Sequence, residues 1–221
     1  ETFVTADVGG THVRLALVCQ SNDSGKPVTV LDYRKYRCAD YAGLAEIMAG
    51  FFAELGCAPV HRGVIASAGY ALEDGSVITA NLPWVLDPAQ ICRQLGMQAL
   101  HLINDFEAVA YAANYMAGSQ VMHLSGPAQG AAGPALVLGP GTGLGAALWI
   151  PNGAHPVVLP TEAGHAALAA VSDLEVALLQ ELRRTRTHVR TETLLSGPGL
   201  LNLYTALAAL RSAQPRPAAE V

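Results

Sequence analysis

The sequence contains one local pattern twice: a β-prone segment, a glycine-rich turn and a second β-prone segment. In the first copy, apolar residues 3–6 and 12–18 flank Gly9-Gly10, and in the second, residues 135–138 and 146–150 flank the glycine-rich segment 139–145. Glycine adopts the positive φ angles that tight hairpin turns require. The repetition predicts a pseudo-duplicated molecule of two lobes, each with one hairpin turn, although the two copies share few identical residues.

Strand-like and helix-like segments alternate along the rest of the chain. Apolar and β-branched residues predict strands at 28–36, 64–67, 77–80 and 100–103, with a tight turn at 73–75. Apolar residues at helical spacing predict helices at 41–55, 88–95, 106–116, 172–183 and 199–209. This order predicts an α/β protein in which mixed sheets are flanked by helices. We expect one lobe at residues 1–115 and the other at residues 116–221.

Composition excludes several classes of protein. Of the 221 residues, 51% are hydrophobic and 14% are charged, which is enough apolar sequence for a buried core. The net charge of −5, with only 13 basic residues, provides no broad positive surface, so we expect no nucleic-acid partner. Pro140 and several glycines interrupt the longest apolar tract, 134–150, so we expect neither export nor membrane insertion.

The spacing of the cysteines indicates the cellular compartment. The chain has four, and no CxxC pair occurs among Cys19, Cys38, Cys57 and Cys92. Widely spaced cysteines without a disulfide or metal pattern are typical of free thiols, so we expect a cytoplasmic protein with reduced cysteines.

The first glycine turn has the residue types of an anion site. Asp7 ends the first strand, Gly9 and Gly10 let backbone N–H groups converge on an anion, and Thr11 adds a hydroxyl. An ordinary hairpin turn has the same pattern, so both interpretations stay open. Arg14 either adds a phosphate contact or is an exposed strand residue. The P-loop pattern GxxxxGK[ST] is absent from the sequence.

The second glycine turn, with Gly139, Gly141, Thr142 and Gly143, also fits a phosphate. Gly141, Gly143 and Ala146 match the dinucleotide pattern GxGxxA, but that pattern requires a helix after the glycines. Here a strand follows and ends at Pro151. A phosphate-binding hairpin is therefore favoured over a Rossmann turn, and a purely structural glycine loop remains an alternative.

Four polar residues are candidates for acid–base chemistry or ligand binding. Asn104 and Asp105 lie where a strand leads into a helix, so either can be the helix N-cap, or Asp105 can be a general base for an alcohol that attacks a phosphoryl group. Glu162 and His165 have metal-ligand spacing, but no third ligand is nearby, so we expect no metal there. A carboxylate and an imidazole also suit the hydroxyls of a polyol. The basic run at 183–190 is typical of a solvated helix end.

Six segments, taken together, closely resemble a known family. They are DVGGTHVRLAL at 7–17, NLPW at 81–84, INDFEAVAYA at 103–112, LGPGTGLGAA at 138–147, PTEAGHA at 160–166 and SGPGLLNLY at 196–204. Each segment alone is weak evidence, but they occur in the family's order over almost the whole chain. The sequence resembles the bacterial glucokinases of the non-ROK group.

The resemblance implies a fold, a reaction and a set of site residues. The fold is the actin-like ATPase (ribonuclease H-like) fold, with a central cleft, and the reaction is ATP-dependent phosphorylation of glucose, the first step of glycolysis. Asp105 is implied as the catalytic base, and Mg²⁺ and ATP as cofactors. Homodimers are the common expectation for such enzymes. The implied phosphate-binding residues are Asp7, Gly9, Gly10, Thr11, Gly139, Gly141, Thr142 and Gly143, with Asp7 also near the magnesium. The implied glucose-binding residues are Asn81, Asn104, Asp105, Glu162, His165 and Glu192.

The sequence also departs from the family pattern. Members of the family continue well beyond SGPGLLNLY with helices and an adenosine-binding segment, and the sequence does not begin with methionine. We therefore expect the chain to be a portion of a longer enzyme. The alternatives are an inactive fragment of the kinase, or a hexose-binding sensor on the same fold that does not turn its ligand over.

Overall fold

A computed structural model describes residues 2–23, 26–56, 59–71, 77–78, 82–113, 115–116, 118–127, 133–153 and 155–214. The chain divides into two compact units, Glu1–Leu124 and Ser125–Val221. The division falls after Leu124, a short distance beyond the expected boundary near residue 115. Each unit is an assembly of strands and helices, as the alternating sequence pattern predicts.

Among its described residues, the first unit contains seven strands and three α-helices. They are β1 Thr2–Val8, β2 His12–Asp23, β3 Lys26–Arg37, α1 Leu44–Leu55, β4 Arg62–Ser67, β5 Tyr70–Ala71, β6 Val77–Ile78, α2 Pro88–Leu95, β7 Ala99–Asn104 and α3 Asp105–Ala113. The described part of the second unit contains three strands and two α-helices. They are β8 Ala135–Pro140, β9 Leu144–Ile150, β10 Val157–Thr161, α4 Asp173–Arg183 and α5 Gly197–Leu210.

The first unit is built on a five-stranded mixed sheet in the order β3-β2-β1-β4-β7. Strands β1, β2 and β3 are antiparallel neighbours, whereas β1, β4 and β7 run parallel. Alternate residues of β1, including Val4 and Val8, are buried, and Ile47, Met48 and Phe51 of α1 are completely buried in the same core. The expected mixed sheet flanked by helices is confirmed.

Local signals explain why helix α2 begins and ends where it does. The Asp87 carboxylate accepts a hydrogen bond from the backbone N–H of Gln90, and Pro88 occupies the first turn, where its missing N–H has no cost. Gly96 ends the helix with a φ of 66°, in the left-handed region that favours glycine. The predicted bounds of this helix, 88–95, are confirmed.

The second unit contains an antiparallel three-stranded sheet in the order β10-β9-β8. Ser172 and Glu175 form a capping box at the start of α4, in which each side chain bonds the other residue's backbone. Leu178 and Leu182 of α4 pack with Ala206 of α5 in a separate small core. The sheet confirms the second predicted hairpin.

Several predicted bounds differ from the structure, and each difference has a local cause. Helix α5 begins at Gly197, because Ser196 caps it and Pro198 in its first turn needs no hydrogen-bond acceptor. The second glycine turn is shorter than predicted, since Gly139 and Gly145 pair within the β8–β9 hairpin. Helix α3 ends at Ala113, before the predicted Met116. The predicted turn at 73–75 lies outside the described residues.

Two further expectations concern cysteines and membranes. Cys19, Cys38 and Cys92 are free thiols, as predicted, and Cys57 lies outside the described residues. Within the described part of the chain, no helix combines the length and apolar character needed to cross a membrane.

Candidate active site

The candidate residues of the first unit lie at one edge of its sheet. In the parallel strands β1, β4 and β7, Val8 pairs with Ser67, and Ser67 pairs with Asn104, so the three strands end at the same level. The first glycine turn follows β1 directly, and Asp105 follows β7 directly. The carboxyl edge of parallel strands is where α/β proteins commonly bind ligands. The topology therefore places Asp105 at the same sheet edge as the first glycine turn.

Hydrogen bonds from buried groups hold the first glycine turn. The Ser67 hydroxyl donates to the Val8 carbonyl at 3.1 Å, and the Cys38 thiol donates to the Gly9 carbonyl at 3.2 Å. The backbone N–H of Cys38 donates to the Thr11 carbonyl at 2.9 Å. Gly10 itself is exposed. The backbone of the turn is thus fixed from the core side while its tip meets solvent.

Asp7 forms an ion pair with Arg14. The Arg14 Nη1 atom lies 2.6 Å from Asp7 Oδ2, and the two residues face each other across the β1–β2 pair. Of the two roles considered for Arg14, the structure shows that of an exposed strand residue whose charge is engaged by a neighbouring carboxylate. The pairing raises the pKa of Arg14.

Asp105 is a half-buried carboxylate with a perturbed pKa. Burial raises the pKa of Asp105, the negative charge of Asp7 raises it further, and the N–H of Phe106, which donates to Oδ1 at 2.9 Å, opposes both effects. The helix N-cap role belongs to Asn104, whose Oδ1 accepts hydrogen bonds from the N–H groups of Phe106 and Glu107. A raised pKa suits a carboxylate to accept a proton near neutral pH.

The candidate residues of the second unit meet around Glu192. Its Oε2 accepts a hydrogen bond from the N–H of Leu144 at 3.3 Å, at the end of the second glycine turn. Its Oε1 lies 3.5 Å from His165 Nε2 and 3.2 Å from Arg190 Nη1. The opposite side of the His165 ring, at Nδ1, lies 3.4 Å from Glu162 Oε2. The fold therefore brings Glu162, His165 and Glu192 together beside the second glycine turn.

Close backbone approach explains two glycines in this cluster. A Cβ atom on Gly143 would lie 2.6 Å from Glu192 Oε2, and one on Gly164 would overlap the Leu144 carbonyl oxygen. The Gly141 carbonyl accepts a hydrogen bond of 2.8 Å from the N–H of Gly197 at the start of α5. The turn is thus held between α5 and the Glu192 side chain, and Thr142 at its tip is exposed.

One predicted site residue lies outside the described part of the chain, and two residues that hold the first glycine turn were not predicted. Asn81 lies outside the described residues. Over the described ranges, no group of three or more His, Cys, Asp or Glu side chains is placed to hold a metal ion. The sequence carried no signal for Ser67 or Cys38, whose roles depend on the sheet, whereas the basic run already contained Arg190.

Comparisons with known proteins agree with one another. The family model for glucokinase matches residues 4–221. A glucokinase-like protein of Xylella fastidiosa strain 9a5c is 52% identical over 215 residues, which cover 97% of this chain and 64% of that protein. The chain therefore spans 64% of the length of this relative.

Two crystal structures extend the comparison to the fold. The structure of glucokinase from an Antarctic psychrotroph is 33% identical with a TM-score of 0.81, over 98% of this chain and 67% of the other. The structure of glucokinase from Balamuthia mandrillaris in complex with glucose is 25% identical with a TM-score of 0.77, over 97% of this chain and 64% of the other. These likenesses confirm the expected actin-like ATPase fold. Together with the family-model match over almost the whole chain, they show that this chain belongs to the glucokinase family.

Proposed function

We propose that this protein transfers the γ-phosphoryl group of ATP to the 6-hydroxyl of glucose. The observation that carries the proposal is Asp105, a half-buried carboxylate with a raised pKa, at the same sheet edge as a glycine turn suited to phosphates. Glucose is the ligand named for the Balamuthia mandrillaris enzyme. We assign the two units to the small and large lobes of the family, and a homodimer is the expected assembly.

Asp105 acts as the general base in this proposal. Its carboxylate accepts the proton of the 6-hydroxyl as the oxygen attacks the γ-phosphorus, and the bond between that phosphorus and the β,γ-bridging oxygen breaks. The Phe106 N–H bonded to Oδ1 orients the carboxylate and leaves Oδ2 for the substrate. The role of the protein is then mainly to position the reacting groups and to exclude water.

The two glycine turns bind the phosphate groups in this proposal. In the first unit, Gly10 and Thr11 offer backbone and hydroxyl donors, and Gly9, whose N–H bonds the His12 carbonyl, shapes the turn. In the second unit, Thr142 and Gly143 have the same role as donors, and Gly139 and Gly141 shape the turn, since the Gly141 N–H bonds the Gly143 carbonyl. Buried donors fix the first turn, and α5 and Glu192 fix the second, so the donors are organised before the anion binds. Preorganised donors stabilise developing charge without reorganisation during the reaction.

Asp7 fits the role of an indirect magnesium ligand. Mg²⁺ at kinase sites is usually held by one or two carboxylates, by substrate phosphates and by water. Asp7 offers one carboxylate, of which Oδ2 is engaged by Arg14. When bound, the ion would neutralise charge on the phosphates.

The sugar is bound by polar side chains in this proposal. Glu162, His165 and Glu192 form one cluster, in which Glu192 is the most buried member with a side-chain exposure of 21%. Asn104 uses its Oδ1 to cap α3, which leaves its amide N–H groups for a hydroxyl. Asn81 is assigned to the same ligand by the family resemblance.

A coupled assay for glucose 6-phosphate tests the function directly. The protein is expected to form this product only when both ATP and glucose are present. The matched control is 6-deoxyglucose, which lacks the acceptor hydroxyl and is expected to bind without forming product. Calorimetric binding of glucose with no product from it would favour the hexose sensor and contradict the kinase.

A further inference from the structure

A cavity of about 360 Å³ lies beside the first glycine turn. Its lining includes Gly10 and Thr11 of the turn, and also Arg37 and Cys38, which follow one another where β3 ends. Arg37 has no role in the proposed function, and Cys38 enters it only as a buried donor that fixes the turn. The end of β3 therefore contributes two side chains of different chemistry to the surroundings of a turn suited to anions.

Arg37 is a cation that lines this cavity. Its side chain is exposed, and it forms no ion pair within the described part of the chain. The lowered pKa of the neighbouring His12 indicates positive charge nearby. Partial burial and the cations Lys35, Arg14 and Arg37 all lower that pKa. Of these cations, Arg14 is paired with Asp7. A guanidinium without a carboxylate partner, beside backbone donors, is the usual environment of a phosphate oxygen.

Cys38 fixes the backbone of the turn through two hydrogen bonds. The residue is 1% exposed, its thiol donates to the Gly9 carbonyl, and its N–H donates to the Thr11 carbonyl. Burial raises the pKa of the Cys38 thiol, which keeps the S–H proton available for donation.

The geometry of the peptide bond links the Cys38 hydrogen bond to the direction of the Gly10 N–H. All peptide bonds described are trans, so the C=O of Gly9 and the N–H of Gly10 point in opposite directions within their shared peptide plane. The buried thiol holds the Gly9 carbonyl, and the Gly10 N–H therefore points away from that thiol. Ser67 acts one peptide earlier, where the Gly9 N–H is already bonded to the His12 carbonyl at 3.0 Å.

We propose that the end of β3 completes an oxyanion subsite at the first glycine turn, with Arg37 as a phosphate-binding residue and Cys38 as a positioning residue. The subsite takes a phosphate group of a polyphosphate chain. The identity of that chain as ATP rests on the proposed function. Arg37 supplies the positive charge, and Cys38 orients the Gly10 N–H toward the phosphate.

Titration calorimetry with inorganic tripolyphosphate tests the role of Arg37. We expect Arg37→Gln to weaken binding about tenfold, because a charge-assisted hydrogen bond is lost. The control Lys35→Gln removes the same charge from the same strand but from a residue that does not line the cavity, and is expected to change affinity less than about threefold. Equal losses in both variants, or no tripolyphosphate binding by the unmodified protein, would overturn the subsite.

The ¹⁵N and ¹H resonances of the Gly10 amide test the role of Cys38 without any assay of activity. Cys38→Ala is expected to displace the Gly10 resonance and to weaken tripolyphosphate binding about tenfold, and Cys38→Ser, which restores a donor, to recover both. Cys92→Ala is the control, since it removes a partly buried thiol from α2 that does not bond the glycine turn, and is expected to leave tripolyphosphate affinity within about twofold.

An unchanged Gly10 resonance in the folded Cys38→Ala variant would overturn the positioning role. Thermal unfolding of each variant confirms that it is folded before binding is compared. Tripolyphosphate binding that depends on Arg37, in a protein that forms no glucose 6-phosphate, would refute the proposed kinase function and leave the subsite standing.

Discussion

The chemical role proposed for Asp105 and its cost in stability arise from the same burial. Burial and the charge of Asp7 make the ionised carboxylate unfavourable in the folded protein, which raises its pKa above that of an ordinary aspartate. Asn104 takes over the helix cap, so the fold does not depend on the Asp105 charge for that purpose. The position is thus one where function and stability are expected to conflict.

The stability of an Asp105→Asn variant is predicted to depend on pH. Since the folded pKa is raised, ionised Asp105 destabilises the fold, and this effect is absent below the unfolded pKa and fully present above the folded pKa. We expect the variant to unfold at a higher temperature than the unmodified protein at pH 7, and at the same temperature near pH 3. The control Asp173→Asn alters an exposed carboxylate and should show no such gain at pH 7. A lower melting temperature for Asp105→Asn at pH 7 would contradict the account.

Glu192 is the residue through which the second glycine turn and the sugar-binding candidates are connected. We expect Glu192→Gln to weaken glucose binding about 10- to 100-fold, because a charged hydrogen-bond partner of a hydroxyl is lost. Intrinsic fluorescence or calorimetry measures the affinity. Glu162→Gln is the matched control at a side chain with 72% exposure, where a smaller loss is expected. An equal or larger effect at Glu162 would shift the centre of the sugar site away from Glu192.

At the scale of elements, glycines divide into those the packing requires and those it does not. Gly164 is buried against the Leu144 carbonyl, where even a methyl group overlaps the backbone. Gly50 lies on the exposed side of α1, with no atom near the position of an added Cβ. The same substitution therefore has opposite expected effects at the two positions.

We predict that Gly164→Ala destabilises the protein by about 1–3 kcal/mol, the usual cost of forcing extra atoms into a packed site. Gly50→Ala is the control and is expected to stabilise the protein by about 0.5–1 kcal/mol, because alanine is the better helix former. Urea unfolding of both variants measures the two free energies. A neutral Gly164→Ala variant would show that the backbone around Gly164 packs less tightly against β9 than described.

The sequence predicted the elements better than their junctions. Periodicity identified both hairpins and the bounds of α2, where Asp87, Pro88 and Gly96 act within a few residues of one another. It misplaced the start of α5, because Gly-Pro-Gly is equally a turn and a capped first helical turn. In the structure, the Ser196 cap and the bond from the Gly197 N–H to the Gly141 carbonyl distinguish the two. The role of Cys38 in holding the glycine turn could not be predicted from the sequence, because its partner Gly9 lies 29 residues away.

At the scale of the whole molecule, the duplication seen in the sequence is present in the sheets. Strands β1–β3 and β8–β10 are both antiparallel sets of three, and each opens with a glycine hairpin. In the first unit, the parallel strands β4 and β7 extend the set and bring Asp105 to its edge. The family match, over a chain that spans 64% of its Xylella relative, assigns the fold to the glucokinases.

The rate of glucose 6-phosphate formation by Asp105→Asn, relative to the unmodified protein at saturating ATP and glucose, tests the central claim most directly. The substitution keeps the shape and the bond to the Phe106 N–H but removes the proton acceptor. We predict that turnover falls about 10²- to 10⁴-fold, the usual contribution of a general base. Turnover within a few-fold of the unmodified protein would contradict the assignment of Asp105 and the mechanism built on it.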